Sequence, residues 1–209
     1  MKISQLSAAS GVSQPTIKLY LREGLLPPGA KTHANQATYS EAHVRRLGII
    51  RTLTQVGGLS VASAKTVLDA IDSDLPLNST FGLAQRAASP DVDGTDLSDA
   101  DLARADDFLA GLTYHDGPGR FGVAKTLRAM AEAGLEADGA WRDSYRKAAE
   151  IIGEADIDLI DRREGRLAKA ETVVIGTVLG DALLAALRRA AQEHFSSQRY
   201  SPRSTETAP

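Results

Sequence analysis

The sequence predicts a mostly α-helical chain with a small β-hairpin near its beginning and an all-helical second part. Apolar residues repeat at helical spacing over most of the chain. Glycines, prolines and short polar stretches interrupt these repeats and separate the predicted helices. One polar stretch without a helical repeat, residues 29–38, lies between two helical patterns and indicates a loop or a two-stranded wing.

Residues 3–26 predict two short helices joined by a tight turn. Gly11 permits the sharp turn, Ser13 is a favourable N-cap for the second helix, and Gly24 favours its end. Two helices in this arrangement form the helix-turn-helix unit, whose second helix enters the major groove of DNA.

The second of these helices has a polar face formed by Gln14, Lys18 and Arg22, which are spaced four residues apart. An amide reads adenine, and Arg or Lys reads guanine or holds a phosphate. A solvated face of a small helical hairpin would show the same pattern. Beyond the wing, residues 40–56 predict a helix that Ser40 caps and that keeps Arg45, Arg46 and Arg51 outside.

The charge distribution divides the chain in two. Residues 1–68 contain eight Lys or Arg and two acids, a balance of +6. The whole chain has a net charge of -3, so residues 69–209 carry -9. A basic first part on an acidic second part implies a polyanionic partner for the first part alone.

The first 72 residues resemble the DNA-binding domain of the MerR family of transcriptional regulators. The resemblance rests on the order and spacing of four segments: G-V-S-Q-P-T-I-K-L-Y, R-E-G-L-L-P-P, T-Y-S and R-R-L-G-I-I-R-T-L-T-Q-V-G-G-L-S. It implies a winged helix-turn-helix homodimer that binds pseudo-palindromic, double-stranded promoter DNA, with RNA polymerase at the same promoter. Residue patterns and resemblance together predict these DNA contacts: Ser13, Gln14, Thr16, Lys18, Tyr20, Arg22, Lys31, Thr38, Tyr39, Arg45 and Arg46.

The sequence departs from the family pattern in three places. Leu19 and Leu21 replace an aromatic residue and a carboxylate of the family, and Ala37 and Thr38 lie where the family wing carries an arginine. Many family members also continue into one long dimerising helix, whereas Pro76 and the acids before it interrupt the helical pattern here.

The predicted organisation has four parts. A DNA-binding domain occupies 1–74, a short helix and linker 75–97, an all-helical effector or dimerisation domain 98–198, and a disordered tail 199–209. Ser79 or Thr80 is predicted to cap the short helix, and Ser98 is predicted to cap the first helix of the all-helical domain. The order of short helices and a long apolar last helix is similar to the ligand-binding domains of TetR-like regulators. The apolar run Val173–Leu187 is too short to span a bilayer and contains Asp181, so it predicts a buried helix and no membrane partner. This helix serves either as a dimer interface or as core of its own domain.

Aromatic residues of the second part, Phe121, Trp141 and Tyr145, are candidates for a pocket that takes a small apolar ligand, although core packing also explains them.

The chain has no cysteine, and its four histidines are scattered, so we expect neither a metal site nor another cofactor. No phosphate-binding loop or nucleophile motif appears. The sequence therefore favours a cytoplasmic DNA-binding regulator, controlled by a ligand or partner, over an enzyme. The alternative is a DNA-binding protein whose second part only dimerises or binds another protein.

Overall fold

A computed structural model of the chain describes residues 1–33, 36–89, 91–113, 115–136 and 138–200. It is mostly helical with one small antiparallel sheet, as the sequence predicts. The elements in chain order are α1 (Ile3–Ser10), α2 (Gln14–Arg22), β1 (Ala30–His33), β2 (Gln36–Thr38), α3 (Glu41–Arg51), a π-helical turn (Thr52–Val56), α4 (Val61–Asp72), α5 (Leu77–Ala88), α6 (Asp99–Phe108), α7 (Pro118–Glu132), α8 (Gly139–Asp161) and α9 (Arg166–Tyr200).

The helix-turn-helix forms as predicted, between α1 and α2. Gly11 adopts a φ of 68°, a left-handed conformation that turns the chain between the helices. The Ser13 side chain accepts a hydrogen bond from the backbone N–H of Thr16 and caps α2. Leu6 and Ile17, one from each helix, are completely buried in the core that α3 and α4 share with them.

The predicted wing is a two-stranded antiparallel hairpin. Ala30 pairs with Thr38 and Lys31 with Ala37, and the register shifts between Lys31 and His33. The hairpin is anchored to the start of the chain, because the N–H of Tyr39 donates to the Met1 carbonyl at 2.8 Å and the Met1 amino group donates to the Tyr39 carbonyl at 2.7 Å. The wing is thereby held beside α1.

The helix after the wing ends differently from the sequence expectation. An uninterrupted α-helix was expected from Ser40 to Val56, but its last turn is π-helical, and the N–H of Gly57 bonds the Thr52 carbonyl at 3.0 Å. A Cβ atom on Gly57 would collide with the Val178 side chain of α9. The wide turn and the glycine together let α9 approach the backbone of the first part closely.

The long helix α9 completes the core of the N-terminal part. Ala170, Val174 and Val178 belong to the same buried cluster as residues of α3 and α4. The Arg166 guanidinium donates to the carbonyls of Ile71 at 3.0 Å and Leu75 at 2.9 Å, and so satisfies acceptors at the end of α4. The hydrophobic core thus crosses the predicted domain boundary, because α5 and α9 both contribute to it.

Two helices begin or end at other residues than the sequence predicts. The helix α5 begins at Leu77, and its N-cap position, Pro76, is three residues before Ser79, the first of the two expected caps. The helix α9 continues to Tyr200, so it includes residues 199 and 200 of the predicted tail. Residues 201–209 of that predicted tail lie outside the described residues.

The apolar run Val173–Leu187 is buried only in its first half. Val173 and Val174 are enclosed, whereas Leu183 and Leu187 are 61% and 58% exposed. By length and composition alone α9 could cross a membrane, and 22% of its most apolar 18-residue stretch is buried. Its first half packs into the core with α3 and α4, so the unexpected feature is the uncovered second half.

Candidate nucleic-acid interface

The polar face of α2 points to solvent. Gln14, Lys18 and Arg22 are all exposed, while Ile17 on the opposite side is buried. Arg22 is 73% exposed and pairs with the adjacent Glu23 at 3.0 Å, a contact that a phosphate can replace at little cost because it lies in water. Lys18 has no ion-pair partner among the described residues. The helix therefore offers an amide and two cations on one accessible face.

The beginning of α2 is rigid. The hydroxyls of Ser13 and Thr16 hydrogen-bond each other at 2.7 Å, and the Ser13 hydroxyl also accepts from the Thr16 N–H at 3.3 Å. Tyr20 is half-buried, and its carbonyl accepts the N–H of Leu25 at 2.9 Å. Of these three predicted contacts, Ser13 is exposed, whereas Thr16 and Tyr20 expose only part of their surface.

The three predicted wing residues have different surroundings. Lys31 is exposed on β1. Thr38 is half-buried, and its hydroxyl donates to the Ala30 carbonyl at 3.4 Å across the hairpin. Tyr39 is almost completely buried, and its ring packs edge-on against the His43 ring with centroids 5.2 Å apart. Lys31 is thus free to meet a phosphate, while the Tyr39 ring anchors the wing.

The neighbouring arginines Arg45 and Arg46 differ completely. Arg45 is exposed and has no recorded hydrogen bond or ion pair in the part of the chain that the structure describes. Arg46 is 11% exposed, and its Nη1 and Nη2 donate to the two carboxylate oxygens of Asp72 at 3.2 and 2.7 Å. Its Nε donates to the Leu25 carbonyl at 3.0 Å. Every nitrogen of the Arg46 guanidinium is therefore engaged inside the protein, and it joins α3, α4 and the segment after α2.

One cation outside the predicted set also lies beside the helix-turn-helix. The Nη1 atom of Arg51 is 3.3 Å from the position that a Cβ on Gly11 would take, so this guanidinium covers the turn between α1 and α2. Arg51 is exposed. Its position on the outer side of α3 was visible in the sequence, but nothing in the spacing indicated that it reaches the turn.

The unpaired cations of the N-terminal part form a distinct set, which we call the free cations. Within the described ranges, no acid lies at ion-pair distance from Lys2, Lys18, Lys31, Arg45 or Arg51. Uncompensated exposed cations are the groups that neutralise phosphates and release counterions when DNA binds.

The three aromatic ligand candidates do not share a site. Phe121 packs against Gly94, since a Cβ there would approach its ring atom to 2.9 Å. The rings of Trp141 and Tyr145 lie 4.0 Å apart at the start of α8. A cleft of about 650 Å³ lies elsewhere, between α5, the start of α7, α8 and α9.

Known proteins share both the N-terminal unit and the whole architecture. Residues 1–71 match a family model described as "MerR HTH family regulatory protein". The "HTH-type transcriptional regulator ZntR homolog" of Haemophilus influenzae is 35% identical over 69 residues, which are 33% of this chain and half the length of that protein. A crystal structure described as the "putative transcriptional regulator SCO5550 from Streptomyces coelicolor A3(2)" is 32% identical, with a TM-score of 0.67 over 97% of this chain and 99% of that one. The chain therefore belongs to the MerR family of transcriptional regulators, which bind DNA through the helix-turn-helix that its residues 1–71 contain.

Proposed function

We propose that this protein is a homodimeric, sequence-specific regulator that binds pseudo-palindromic promoter DNA and is controlled through its C-terminal helices. The observation that carries the proposal is the exposed polar face of α2, in an N-terminal part whose free cations have no acid partner among the described residues. This surface has the chemistry of a recognition helix with phosphate contacts around it.

Within this proposal, the predicted contacts take different roles. Gln14 and Lys18 face the base edges, and Arg22 meets a base or a phosphate. Lys31, Arg45 and Arg51 meet phosphates, because each is an exposed cation without an internal partner. Arg46 and Tyr39 position the surface instead, since the first is bound to Asp72 and Leu25 and the second is buried under the wing.

A second copy of the chain explains the uncovered apolar surface. Leu183, Leu187 and Phe195 of α9 and Ile151 of α8 are each more than half exposed. Exposed apolar side chains clustered on two long helices are typical of a surface that is covered in the assembled protein. A dimer also presents two α2 helices to two half-sites, as pseudo-palindromic DNA requires.

Control of DNA binding can pass through α9. One side of this helix, at Val174 and Val178, is part of the core that holds α3 and α4. The nearly opposite side, at Gly176 and Gly180, lines the 650 Å³ cleft. A ligand or partner that favours one position of α9 over another therefore changes the packing beneath the DNA-binding surface.

The family resemblance supplies the mechanism at the promoter. Family members bind in the cytoplasm between promoter elements whose spacing is too long for RNA polymerase, and activation bends and untwists the DNA. The energy of such a change depends on the deformability of the DNA between the contacted half-sites. A footprint on the upstream region of the gene tests this: protection centred between the promoter elements supports it, and protection over the start site favours simple repression.

A second candidate function keeps the DNA binding and omits the ligand. The exposed apolar surface on α8 and α9 favours it, because dimerisation or another protein would cover that surface without any small molecule. Under this alternative, a panel of metabolites and drugs leaves the thermal unfolding of the full chain unchanged.

Replacement of Lys18 tests the recognition helix directly. We expect Lys18→Ala to weaken binding to the upstream duplex by about 1–3 kcal/mol, measured by fluorescence anisotropy, because an exposed cation that reads a base is lost. The unfolding midpoint should stay the same.

Lys147 provides the matched control, since it is an exposed lysine of α8 outside the N-terminal part. Lys147→Ala should leave DNA affinity unchanged. Equal affinities for the Lys18→Ala variant and the unmodified protein would show that α2 is not the recognition helix.

A further inference from the structure

The beginning of α9 is bound to the end of α4. Arg166, the first residue of α9, donates from Nη1 to the Ile71 carbonyl at 3.0 Å and from Nη2 to the Leu75 carbonyl at 2.9 Å. The same Nη2 atom donates to the Ala70 carbonyl at 3.4 Å. Ala70 and Ile71 lie in the last turn of α4, where carbonyls have no partner inside the helix, and Leu75 lies in the link to α5. One guanidinium therefore joins α9 both to α4 and to the link that follows it.

The cation at this end of α4 comes from a distant part of the chain. A helix C-terminus attracts positive charge, but α4 has no basic residue in its last turn. The two acids of that turn are already paired, Asp69 with Lys65 and Asp72 with Arg46. The recorded partners of the Arg166 side chain are backbone carbonyls. A carbonyl is fixed in the backbone, whereas a carboxylate rotates with its side chain, so these bonds hold the direction of α9 as well as its proximity.

A second contact holds α9 further along its length. Val178 is buried against the π-helical turn after α3, where a Cβ on Gly57 would collide with its side chain. Val178 lies about 18 Å from Arg166 along the helix. Two contacts separated by this distance fix the angle between α9 and the N-terminal part, whereas one contact would leave a pivot. We call Arg166 and Val178 the anchor residues.

The anchor residues act on α2 through α4. Leu68 and Ile71 of α4 belong to the same buried cluster as Ile17 of α2, so the position of α4 determines the position of the exposed face of α2. The second half of α9 carries the exposed Leu187 and Phe195, which belong to the surface proposed above for a second copy of the chain. In the proposed dimer, α9 is therefore the connection between each α2 and the contact of the two copies.

Small changes of the angle of α9 are large on the scale of DNA. Phe195 lies about 25 Å beyond Val178 along the helix. A tilt of about 10° over about 25 Å displaces one end against the other by about 4 Å, which exceeds the rise of one base pair, about 3.4 Å. A loosened anchor would therefore let α2 reach half-sites that are one base pair nearer or farther.

We propose that Arg166 is a positioning residue that determines which separation of half-sites this protein accepts. It holds α9 at one angle and so gives the two α2 helices of a dimer one separation, without a contact to DNA of its own. The inference rests on the dimeric function proposed above. It differs from a contribution to stability alone, because a stabilising contact would affect binding to all duplexes equally.

Duplexes that differ only in spacing test this role on the full-length protein. One labelled duplex carries the two half-sites located by the footprint at their natural spacing, two others have a base pair inserted or removed between them, and a fourth has a single half-site. We expect the unmodified protein to lose affinity by about tenfold or more when the spacing changes by one base pair, measured by fluorescence anisotropy.

Removal of the guanidinium should flatten this preference. Arg166→Ala should bind all three spacings within about threefold of one another, mainly because binding at the natural spacing becomes weaker. Its affinity for the single half-site should equal that of the unmodified protein, since the surface of α2 is unchanged. A spacing preference that survives in Arg166→Ala would overturn the proposal, and so would a half-site affinity that falls as much as the affinity for the complete site.

Two other arginines separate this role from general effects of charge and stability. Arg163→Ala removes an exposed arginine just before α9 and should keep both affinity and spacing preference. Arg120→Ala removes ion pairs to Asp106 and Asp116 within the C-terminal part, so it should lower the unfolding midpoint and keep the spacing preference. Loss of the preference in either control would overturn the assignment to Arg166.

The second anchor residue provides an independent variant if Arg166→Ala does not fold. Val178→Ala removes the methyl groups that face Gly57 without removing a charge or a hydrogen bond. It should also flatten the spacing preference and keep the half-site affinity. An unchanged preference in this variant would show that the angle of α9 does not set the spacing, and would overturn the proposal.

The unmodified protein distinguishes failure of this inference from failure of the proposed function. Equal affinity for the single half-site and the complete site would show that the dimeric function is wrong, and this inference with it. A preference for the natural spacing that Arg166→Ala shares would remove the role of Arg166 alone.

Discussion

Helices α2 and α7 each carry an excess of two positive charges, and of these two helices only α2 offers its charges to a partner. Helix α2 has Lys18 and Arg22, and Lys18 contacts no acid among the described residues. Helix α7 has Arg120, Lys125, Arg128 and one acid, Glu132. Arg120 pairs with Asp106 at 2.7 Å and Asp116 at 2.9 Å, and Lys125 pairs with Asp96 at 2.9 Å.

The difference lies in where the acids of the sequence fold. The segment 91–101 contains five aspartates, and the structure brings three of them against Lys125 and Arg128 of α7. Those ion pairs hold the loop against α7 and compensate the positive charges of Lys125 and Arg128. The availability of charge, rather than its amount, thus distinguishes a nucleic-acid surface from a structural network.

An acid introduced into α2 tests whether DNA binding depends on the unpaired state of Lys18. Gln14→Glu places a carboxylate four residues before Lys18, a spacing that forms ion pairs on a helix and stabilises it by about 0.2–0.5 kcal/mol. We expect affinity for the upstream duplex to fall by at least about tenfold, because the amide that we propose reads adenine is lost and the new charge repels phosphates. Fluorescence anisotropy measures the affinity.

Gln14→Ala is the control for loss of the amide alone, and it should lose less affinity than Gln14→Glu. Equal losses would show that the unpaired state of Lys18 has no influence on binding.

The adjacent residues Arg45 and Arg46 of α3 test the same distinction between a free cation and a cation that is paired inside the protein. Arg46→Ala should lower the free energy of unfolding by about 1–3 kcal/mol, since it removes the bonds to Asp72 and the Leu25 carbonyl. Arg45→Ala should leave unfolding unchanged and reduce the salt dependence of DNA binding by about one phosphate contact per subunit. Urea unfolding and binding at several salt concentrations measure the two effects. A stable Arg46→Ala protein with weakened, less salt-dependent DNA binding would reverse the two assignments.

The smallest expected effect concerns the acids that neutralise α7. The hydrogen bonds from Arg128 and Lys125 lower the pKa of Asp96 from 3.8 to about 2. A carboxyl whose pKa is lowered by folding stabilises the folded state above its unfolded pKa, and this contribution is lost as the pH falls from about 4 towards about 2. In Asp96→Asn the unfolding midpoint should be lower near neutral pH and should fall less steeply over that range.

Asp91→Asn is the matched control for Asp96, because Asp91 is exposed on the same loop and has no recorded partner among the described residues. It should keep the pH dependence of the unmodified protein. If Asp96→Asn also kept the pH dependence of the unmodified protein, the pairing of Asp96 with α7 would be excluded as the cause of that dependence.

Local signals allowed much of the fold to be predicted from the sequence. Gly11 and Ser13 place the helix-turn-helix, and Ser98 caps α6 as expected, with its hydroxyl bonded to Asp101. The wing and the interruption after α4 follow from their polar residues and prolines. Each of these features is determined by neighbouring residues, which is why spacing and turn chemistry are sufficient to predict them.

Long-range contacts could not be predicted in this way. Nothing in the sequence indicated that Arg46 binds Asp72, that Arg166 bonds the carbonyls after α4, or that Val178 lies against Gly57. For the same reason, only their aromatic residue type made Phe121, Trp141 and Tyr145 candidates for ligand binding. The cleft instead includes glycines and two aspartates that come from different helices. The predicted DNA contacts themselves await the measurements above.

The position of α9 has a consequence for genetics. One stretch of this helix packs Val174 and Val178 into the core of the N-terminal part, lines a cleft with Gly180, and exposes Leu183 to solvent. A single inherited change there alters several properties of the regulator at once, so few such changes are neutral. Selection for mutants that no longer respond to the proposed signal should therefore recover substitutions in α9 more often than in α2. In the proposed homodimer many of them should be dominant, because each altered chain would pair with an unaltered one.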